Sequence, residues 1–183
     1  RGGQDRRGLA ESGTTVRTPE DGVERQRVGM CRPGDDLAVA SRTGRMRRLR
    51  VDDSTSPVMG RTAQGPVLMR LLPGESIVGA AAVAAGGDVL LISQLGQLKR
   101  LGIDHLRRCQ RGAIGEIGLR FEQRNDALTD LRSTTARLSV ETQAGSLRLA
   151  SDSLPVEDGR GTGQQLKLPK GQTVQRLLPL IDG

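Results

Sequence analysis

Apolar and polar residues alternate along several short stretches of the chain, as they do in β-strands that bury one face. The clearest stretches end at three glycines, Gly44, Gly96 and Gly145, which stand 52 and 49 residues apart. Because glycine adopts the backbone conformations of tight turns, each is predicted to lie in the turn of a β-hairpin. The predicted turns span residues 42–45, 94–97 and 143–146.

Each hairpin glycine is followed by two recurring positions, an apolar slot and then a basic slot. The apolar slot holds Met46, Leu98 and Leu147, and the basic slot holds Arg47, Lys99 and Arg148. The alternation predicts a strand whose apolar side chains face the core and whose basic side chains face solvent.

A second glycine recurs further along each stretch, and basic residues flank it. The glycines are Gly65, Gly115 and Gly163, preceded within four residues by Arg61, Arg111 and Arg160 and followed by Arg70, Arg120 and Lys167. A period near fifty residues indicates an array or ring of similar modules rather than one compact core.

The repeat divides the chain into segments that we expect to form one domain. A basic, glycine-rich lead-in at 1–12 precedes the second half of a unit at 13–33, and complete units follow at 34–85, 86–135 and 136–183. We call these three the first, second and third unit. A polar connector joins the two halves of each unit, and only the connector at 104–110 has the composition of a helical turn.

Three segments carry a resemblance to a known family: GDDLAVASRTGRMRRLRV from residue 34, RTAQGPVLMRLLPGESIVGA from residue 61 and GDVLLISQLGQLKRLGI from residue 87. In this order and at one period they resemble the repeat of the C-terminal domain of the A subunit of bacterial DNA gyrase and topoisomerase IV. The resemblance is strongest over 34–119 and weaker over 135–183. It implies an all-β, propeller-like β-pinwheel of about four blades, open or incomplete, in which neighbouring blades exchange strands.

The resemblance also implies a function. The basic rim of such a domain binds duplex DNA and bends or wraps it, which tunes DNA supercoiling by a type IIA topoisomerase. The parent enzyme is an ATP-dependent isomerase that cleaves DNA through a tyrosine, and this chain contains no tyrosine. We therefore expect no catalysis and no cofactor in this chain, with ATP and Mg²⁺ bound by other parts of the parent. The expected partners are duplex DNA, the ATPase B subunit and the N-terminal catalytic part of the same A subunit.

Composition narrows the choice of partner. The net charge of +7 and the pI of about 10.8 favour a polyanion, although the arginine bias of a GC-rich genome would have the same effect. The chain has no Trp or Tyr and one Phe, so it cannot build the base-stacking platforms of single-stranded nucleic-acid binders. No apolar run is long enough for a membrane span and no signal-peptide pattern is present. We therefore expect a cytoplasmic, nucleoid-associated protein that binds duplex DNA and no membrane.

Three residues could suggest other chemistry. Cys31, Cys109 and His105 are too few for a four-ligand zinc site, and no serine or paired carboxylate accompanies the histidine. We therefore interpret the cysteines as free thiols and His105 as an exposed loop residue, and we predict no metal site.

The candidate DNA contacts are basic residues of the recurring slots, of the strand positions beside them and of the second connector: Arg45, Arg47, Arg48, Arg61, Lys99, Arg100, Arg107, Arg108, Arg111, Arg120, Arg148, Arg160 and Lys167. Those in loops are expected to contact phosphate more directly than those on strands. The alternative is a propeller-like protein-interaction scaffold whose basic residues keep a β-rich surface soluble.

Gyrase members of this family wrap DNA with the help of a short basic, glycine-rich box in the first blade. One period before the 61–65 segment lies LAESG, at 9–13, which holds no basic residue. The candidate for a displaced box is RGGQDRRG, through Arg1, Gly2, Gly3, Arg6 and Arg7, and a solvated linker is the alternative. The parent enzyme, gyrase or topoisomerase IV, stays open, and the missing regular box leans toward a topoisomerase IV-like or atypical gyrase domain.

Overall fold

A computed structural model describes residues 32, 34–51, 69–109, 112–135 and 137–180 of the chain. Regular structure in these ranges consists of β-strands and two short 3₁₀ turns, at Ile103–His105 and Ser151–Ser153. The strands are β1 Asp36–Ser41, β2 Arg45–Arg50, β3 Ile77–Val83, β4 Asp88–Ser93, β5 Gln97–Gly102, β6 Glu116–Ile117, β7 Leu128–Ser133, β8 Arg137–Thr142, β9 Gly145–Ala150, β10 Val156–Glu157, β11 Gln164–Gln165 and β12 Val174–Pro179. The all-β prediction is confirmed.

All three predicted hairpins are present. Strand β1 pairs antiparallel with β2, β4 with β5, and β8 with β9. The turn glycines have positive φ angles, +81° at Gly44, +91° at Gly96 and +140° at Gly145, which side chains other than glycine rarely adopt. At Gly44 a Cβ atom would also collide with the carbonyl oxygen of Leu119, so this turn requires glycine for two reasons.

The hairpins belong to three sheets, and neighbouring units exchange strands. The strand orders are β3-β1-β2-β6, β10-β5-β4-β7 with β11 also on β5, and β12-β8-β9. Strand β6 of the second unit thus pairs with β2 of the first, and β10 and β11 of the third unit pair with β5 of the second. This is the exchange that a β-pinwheel requires.

At Gly115 and Gly163 the second recurring glycine lets the exchanged segment lie against the preceding hairpin, whereas Gly65 lies outside the described residues. A Cβ atom on Gly115 would collide with the backbone of Met46, and one on Gly163 would collide with the backbone of Leu98. Met46 and Leu98 occupy the same slot of their units, so the repeated glycine marks a repeated contact between units. A larger residue would push the exchanged segment away from the strand that it covers.

The core lies between successive sheets. Val89 and Leu91 pack with the first sheet in one apolar cluster, whereas Leu90 and Ile92 pack with the third sheet in another. Strand β4 is therefore buried on both faces, which explains why its sequence is a continuous apolar run rather than an alternation. Each such side chain, fully buried, stabilises the fold by about 1.5–3 kcal/mol. A third cluster, which includes Leu37, lies on the other face of the first sheet.

The connectors agree only partly with expectation. The predicted helical turn in the second connector is present as the 3₁₀ turn Ile103–His105. The third connector, at 151–159, was predicted to lack a helical turn, and this is wrong, because Ser151–Ser153 forms an equivalent 3₁₀ turn. The first connector, at 52–60, lies outside the described residues. The Ser151 hydroxyl donates a hydrogen bond to the Thr135 carbonyl, a contact that the local sequence does not reveal. Among the described residues, no helix is long and apolar enough to cross a membrane.

Candidate nucleic-acid interface

The basic slot of the first two units does not face solvent. Arg47 is 3% exposed and Lys99 is 1% exposed, so the prediction that these side chains point outward is wrong. The cause is the strand exchange. Strands β6, β10 and β11 of the following units pair with the edges of β2 and β5, and the loops beside them accept hydrogen bonds from Arg47 and Lys99. In this conformation neither side chain reaches the surface, and we remove both from the candidate phosphate contacts.

Lys99 has a structural role instead. Its Nζ donates hydrogen bonds to the carbonyl oxygens of Gly118, at 2.8 Å, and Gly161, at 2.7 Å. Burial lowers the pKa of Lys99, while the nearby carboxylates of Glu157 and Asp158 act in the opposite direction. The ammonium group thus joins a loop of the second unit to a loop of the third.

Arg48 is also buried, in an arrangement that we call the first clamp. Its Nε and Nη2 donate to Asp36 Oδ2 at 2.9 and 2.6 Å, and its Nη1 donates to the carbonyl oxygens of Ile103 and Leu106 at 3.1 and 3.3 Å. Nη2 also lies 2.7 Å from Asp104 Oδ1. An arginine of the first unit therefore grips the 3₁₀ turn of the second.

Arg100 repeats this arrangement one unit later, in the second clamp. Its Nε and Nη2 donate to Asp88 Oδ2 at 2.9 and 2.7 Å, and its Nη1 donates to the carbonyl oxygens of Ser151 and Leu154 at 3.2 and 3.3 Å. Arg48 and Arg100 were both predicted from the sequence to contact DNA. The structure places both guanidinium groups in contacts between units, and these contacts use their N–H donors.

Asp36 of the first clamp accepts from a second arginine as well. Arg108 Nε donates to Asp36 Oδ1 at 3.0 Å, and the Arg108 side chain stays 44% exposed. Burial acts to raise the pKa of Asp36, but the hydrogen bonds from Arg108 and Arg48 outweigh it and the pKa is lowered. Arg108 is therefore both a partner of the clamp and an accessible cation.

The remaining candidates divide by position. Arg45 is part-exposed and donates from Nη1 to the Gly115 carbonyl oxygen at 3.0 Å. The solvent-exposed candidates are Arg107, Arg120, Arg148, Arg160 and Lys167. Arg61, Arg111 and the candidate box at residues 1–7 lie outside the described residues and stay predictions.

Two exposed candidates, Arg120 and Arg160, lie on loops that meet. Gln97 Nε2 donates to the carbonyl oxygen of Arg120 at 2.7 Å and to that of Thr162 at 2.5 Å, so these two oxygens flank one nitrogen atom. Sequence reasoning missed Gln97 because an amide carries no charge. The available signal was its position, which is the slot that Arg45 fills in the first unit.

His105, Cys31 and Cys109 are the residues whose types could suggest metal ligands or catalytic groups. His105 is exposed within its 3₁₀ turn, as predicted for a loop residue. Cys109 is a half-buried free thiol, and Cys31 lies outside the described part of the chain. Cys109 lines a half-open cavity of about 240 Å³ together with Met46, Arg47, Arg107, Ile114 and Glu116.

Successive β-sheets joined by exchanged strands, with buried cations at the junctions and exposed cations on the loops, define a propeller-like pinwheel domain. Residues 35–84 and 87–135 match the family model described as DNA gyrase C-terminal domain, beta-propeller. The chain belongs to this family.

Two curated relatives agree with this assignment. The A subunit of DNA gyrase from Aminobacterium colombiense is 27% identical over 170 residues, which is 91% of this chain and 21% of the relative. The A subunit of DNA topoisomerase 4 from Synechocystis sp. is 32% identical over 96 residues, which is 52% of this chain and 10% of the relative. The chain thus spans a small fraction of the length of both relatives.

Solved structures show the same fold. The C-terminal domain of a DNA topoisomerase IV matches with a TM-score of 0.72 and 15% identity, over 85% of this chain and 49% of that one. The E. coli ParC C-terminal domain matches with a TM-score of 0.59 and 20% identity, over 80% of this chain and 63% of that one. The β-pinwheel expectation is therefore confirmed.

Proposed function

We propose that this chain binds duplex DNA without sequence preference and bends it, as the accessory C-terminal domain of the A subunit of a type IIA topoisomerase. The observation that carries the proposal is that the basic side chains in the described part of the chain fall into two groups, one buried between units and one exposed on loops. Arg48, Lys99 and Arg100 are consumed by contacts between units, whereas a separate set on the loops is solvent-exposed and has no such role. A surface kept basic beyond the needs of the fold fits a polyanionic partner.

The physical basis of binding is neutralisation of phosphates. Arginine on phosphate positions a duplex without reading its bases, so unrelated sequences are bound alike. Each neutralised phosphate releases counterions, and log K then falls with log salt with a slope of about −0.9 per contact. Smooth bending of a 20–30 bp site by 40–90° costs roughly 1–6 kcal/mol, which several contacts on successive units offset.

The wider role follows from the relatives, and it is part of the proposal. We assign strand cleavage and religation to the N-terminal part of the same polypeptide, and ATP and Mg²⁺ to other parts of the assembly that include the B subunit. This domain captures a DNA segment and presents it bent, which tunes the handling of supercoils. Gyrase and topoisomerase IV both fit this role, since relatives of both kinds match the chain.

The test compares two triple variants that remove the same charge. Arg107, Arg120 and Arg160 are replaced together by Gln, and the matched control replaces Arg42, Arg124 and Arg176, which are exposed but outside the recurring slots. Fluorescence anisotropy with duplexes of about 15, 30 and 45 bp is measured across a salt series. We expect the first triple to weaken binding and to lower the salt slope by up to about three phosphates.

Equal losses from both triples would show that only total charge matters. The alternative, a protein-interaction scaffold with a basic solubilising surface, would then replace the proposal. Salt-insensitive binding, or a strong preference for one sequence over scrambled DNA, would contradict it as well.

A further inference from the structure

Two buried polar side chains on β5 hold two exposed loops together. Gln97 is 2% exposed and Lys99 is 1% exposed, and as alternate residues of one strand they lie on the same side of it. Lys99 Nζ bridges the carbonyl oxygens of Gly118 and Gly161, and Gln97 Nε2 bridges those of Arg120 and Thr162. In each bridge one oxygen belongs to the second unit and the other to the third.

We infer that Gln97 and Lys99 are positioning residues that build one phosphate-binding site from two units, with the exposed Arg120 and Arg160 as the groups that contact DNA. The inference rests on the proposed function and makes it specific. The site exists only where the third unit docks on the second, so a single unit would lack it.

The energetics favour rigid loops at this junction. A buried ammonium group is costly unless hydrogen bonds satisfy it, and Lys99 finds two of its acceptors on these loops. Moving either loop away would remove one of these two acceptors from the cation and leave a carbonyl oxygen without its donor. Gln97 Oε1 also accepts from the Glu122 amide at 3.1 Å, so Arg120 is held on both sides. Cations on rigid loops bind without the entropy cost of ordering them.

Two carboxylates lie beside the site and serve the loop that carries Arg160. Asp158 Oδ1 accepts from the backbone amides of Arg160 and Gly161 at 2.8 and 3.2 Å, and these hydrogen bonds lower the pKa of Asp158. Glu157 Oε2 accepts from the Gly163 amide at 3.2 Å. Both carboxylates therefore fix the loop through its backbone.

The first junction contains a related arrangement. Arg45 and Arg47 occupy the slots of Gln97 and Lys99, and their Nη1 atoms lie 3.0 and 3.5 Å from the carbonyl oxygens of Gly115 and Ile114. In both cases, alternate residues of the second strand of a hairpin, β2 or β5, hydrogen-bond to a loop of the next unit. Gln97 is uncharged, unlike Arg45 in the same slot of the first unit. Replacing Gln97 therefore tests the bridge without changing the net charge of the protein.

The experiment is a double-mutant cycle on DNA binding. Gln97→Met removes the bridge to Arg120 and Thr162 without altering charge, and Gln175→Met on an exposed strand position is the matched control. Affinity for a duplex of about 20 bp is measured across salt in the wild-type background and in the Arg120→Gln, Arg160→Gln background. We expect Gln97→Met to weaken binding about 3–10-fold and to lower the salt slope by about one phosphate in the wild-type background only.

A loss of the same factor in both backgrounds, or no loss in either, would overturn the inference while leaving the proposed function intact. Wild-type protein that does not bind duplex DNA in a salt-dependent way would overturn both. Hydrogen exchange gives a readout without DNA, because the Glu122 amide should exchange faster in Gln97→Met than in Gln175→Met. If Gln97→Met does not fold, the milder Gln97→Asn is used with the same criteria.

Discussion

The first two units and the third unit place equivalent residues in opposite environments. Asp36 and Asp88 form clamps with Arg48 and Arg100, but the third unit has Arg137 and Leu149 in these two slots. The basic slot is buried at Lys99 of the second unit and exposed at Arg148 of the third. A slot of the repeat does not by itself determine burial.

The difference arises from strand exchange. Strands β2 and β5 receive partners from the next unit, whereas β9 pairs only with β8 among the described residues. Its apolar slot, Leu147, is accordingly 37% exposed, although Met46 and Leu98 in the same slot are fully buried. The absence of a clamp and the exposure of the outer strand therefore occur together in the described part of the third unit.

The largest effect that tests this comparison is expected from breaking the first clamp. Arg48→Met leaves the buried Asp36 carboxylate with Arg108 as its remaining cation and removes the donor to two carbonyl oxygens. Loss of one partner of a buried ion pair costs about 3–5 kcal/mol when the other charge is left uncompensated, so we expect the lower end of that range. Arg148→Met, one slot away from the equivalent position in the third unit, removes an exposed charge and should change stability by less than about 0.5 kcal/mol. Urea unfolding of both variants measures the difference. Similar costs would mean that the clamp does not stabilise the junction.

A smaller effect is expected at the hairpin turns. Alanine at Gly145, where the space around the Cβ position is open, should cost about 1–3 kcal/mol from backbone strain alone. Alanine at Gly44 also requires a positive φ, +81° against +140° at Gly145, and in addition collides with the Leu119 carbonyl oxygen, so it should cost more. The two variants are compared by urea unfolding. Equal costs would contradict the close approach of the second unit to the first turn.

The smallest effect concerns acid stability. Because the pKa of Asp36 is lowered on folding from an ordinary value of 3.8, its contribution to stability is complete above that value and is lost as pH falls through the lowered pKa. Glu75, whose pKa is lowered from 4.5, adds a similar loss. We expect stability to fall below about pH 4 and Asp36→Asn to flatten the fall. An unchanged pH profile in Asp36→Asn, measured by thermal unfolding, would contradict this role for the carboxylate.

Local features of the fold were predictable because the cause of each lies within a few residues. Gly44, Gly96 and Gly145 were identified as turn residues because a hairpin turn requires positive φ. The period of the glycines and of the apolar slots indicated an all-β array before any contact was known. The exposed loop cations Arg120 and Arg160 were also found from their spacing alone.

The tertiary structure decided which cations bind the protein itself and which are exposed to solvent. Arg47 and Arg148 share a slot and a charge, yet only the latter is exposed, because the Arg47 side chain reaches the Ile114 carbonyl oxygen of the next unit. The sequence by itself determined the repeat, the hairpins and the basic character of the chain, since these depend on local backbone chemistry and composition. Burial depends on contacts between residues about fifty to seventy positions apart, and so the clamps and the Gln97 bridge follow only from the packing of one unit on another.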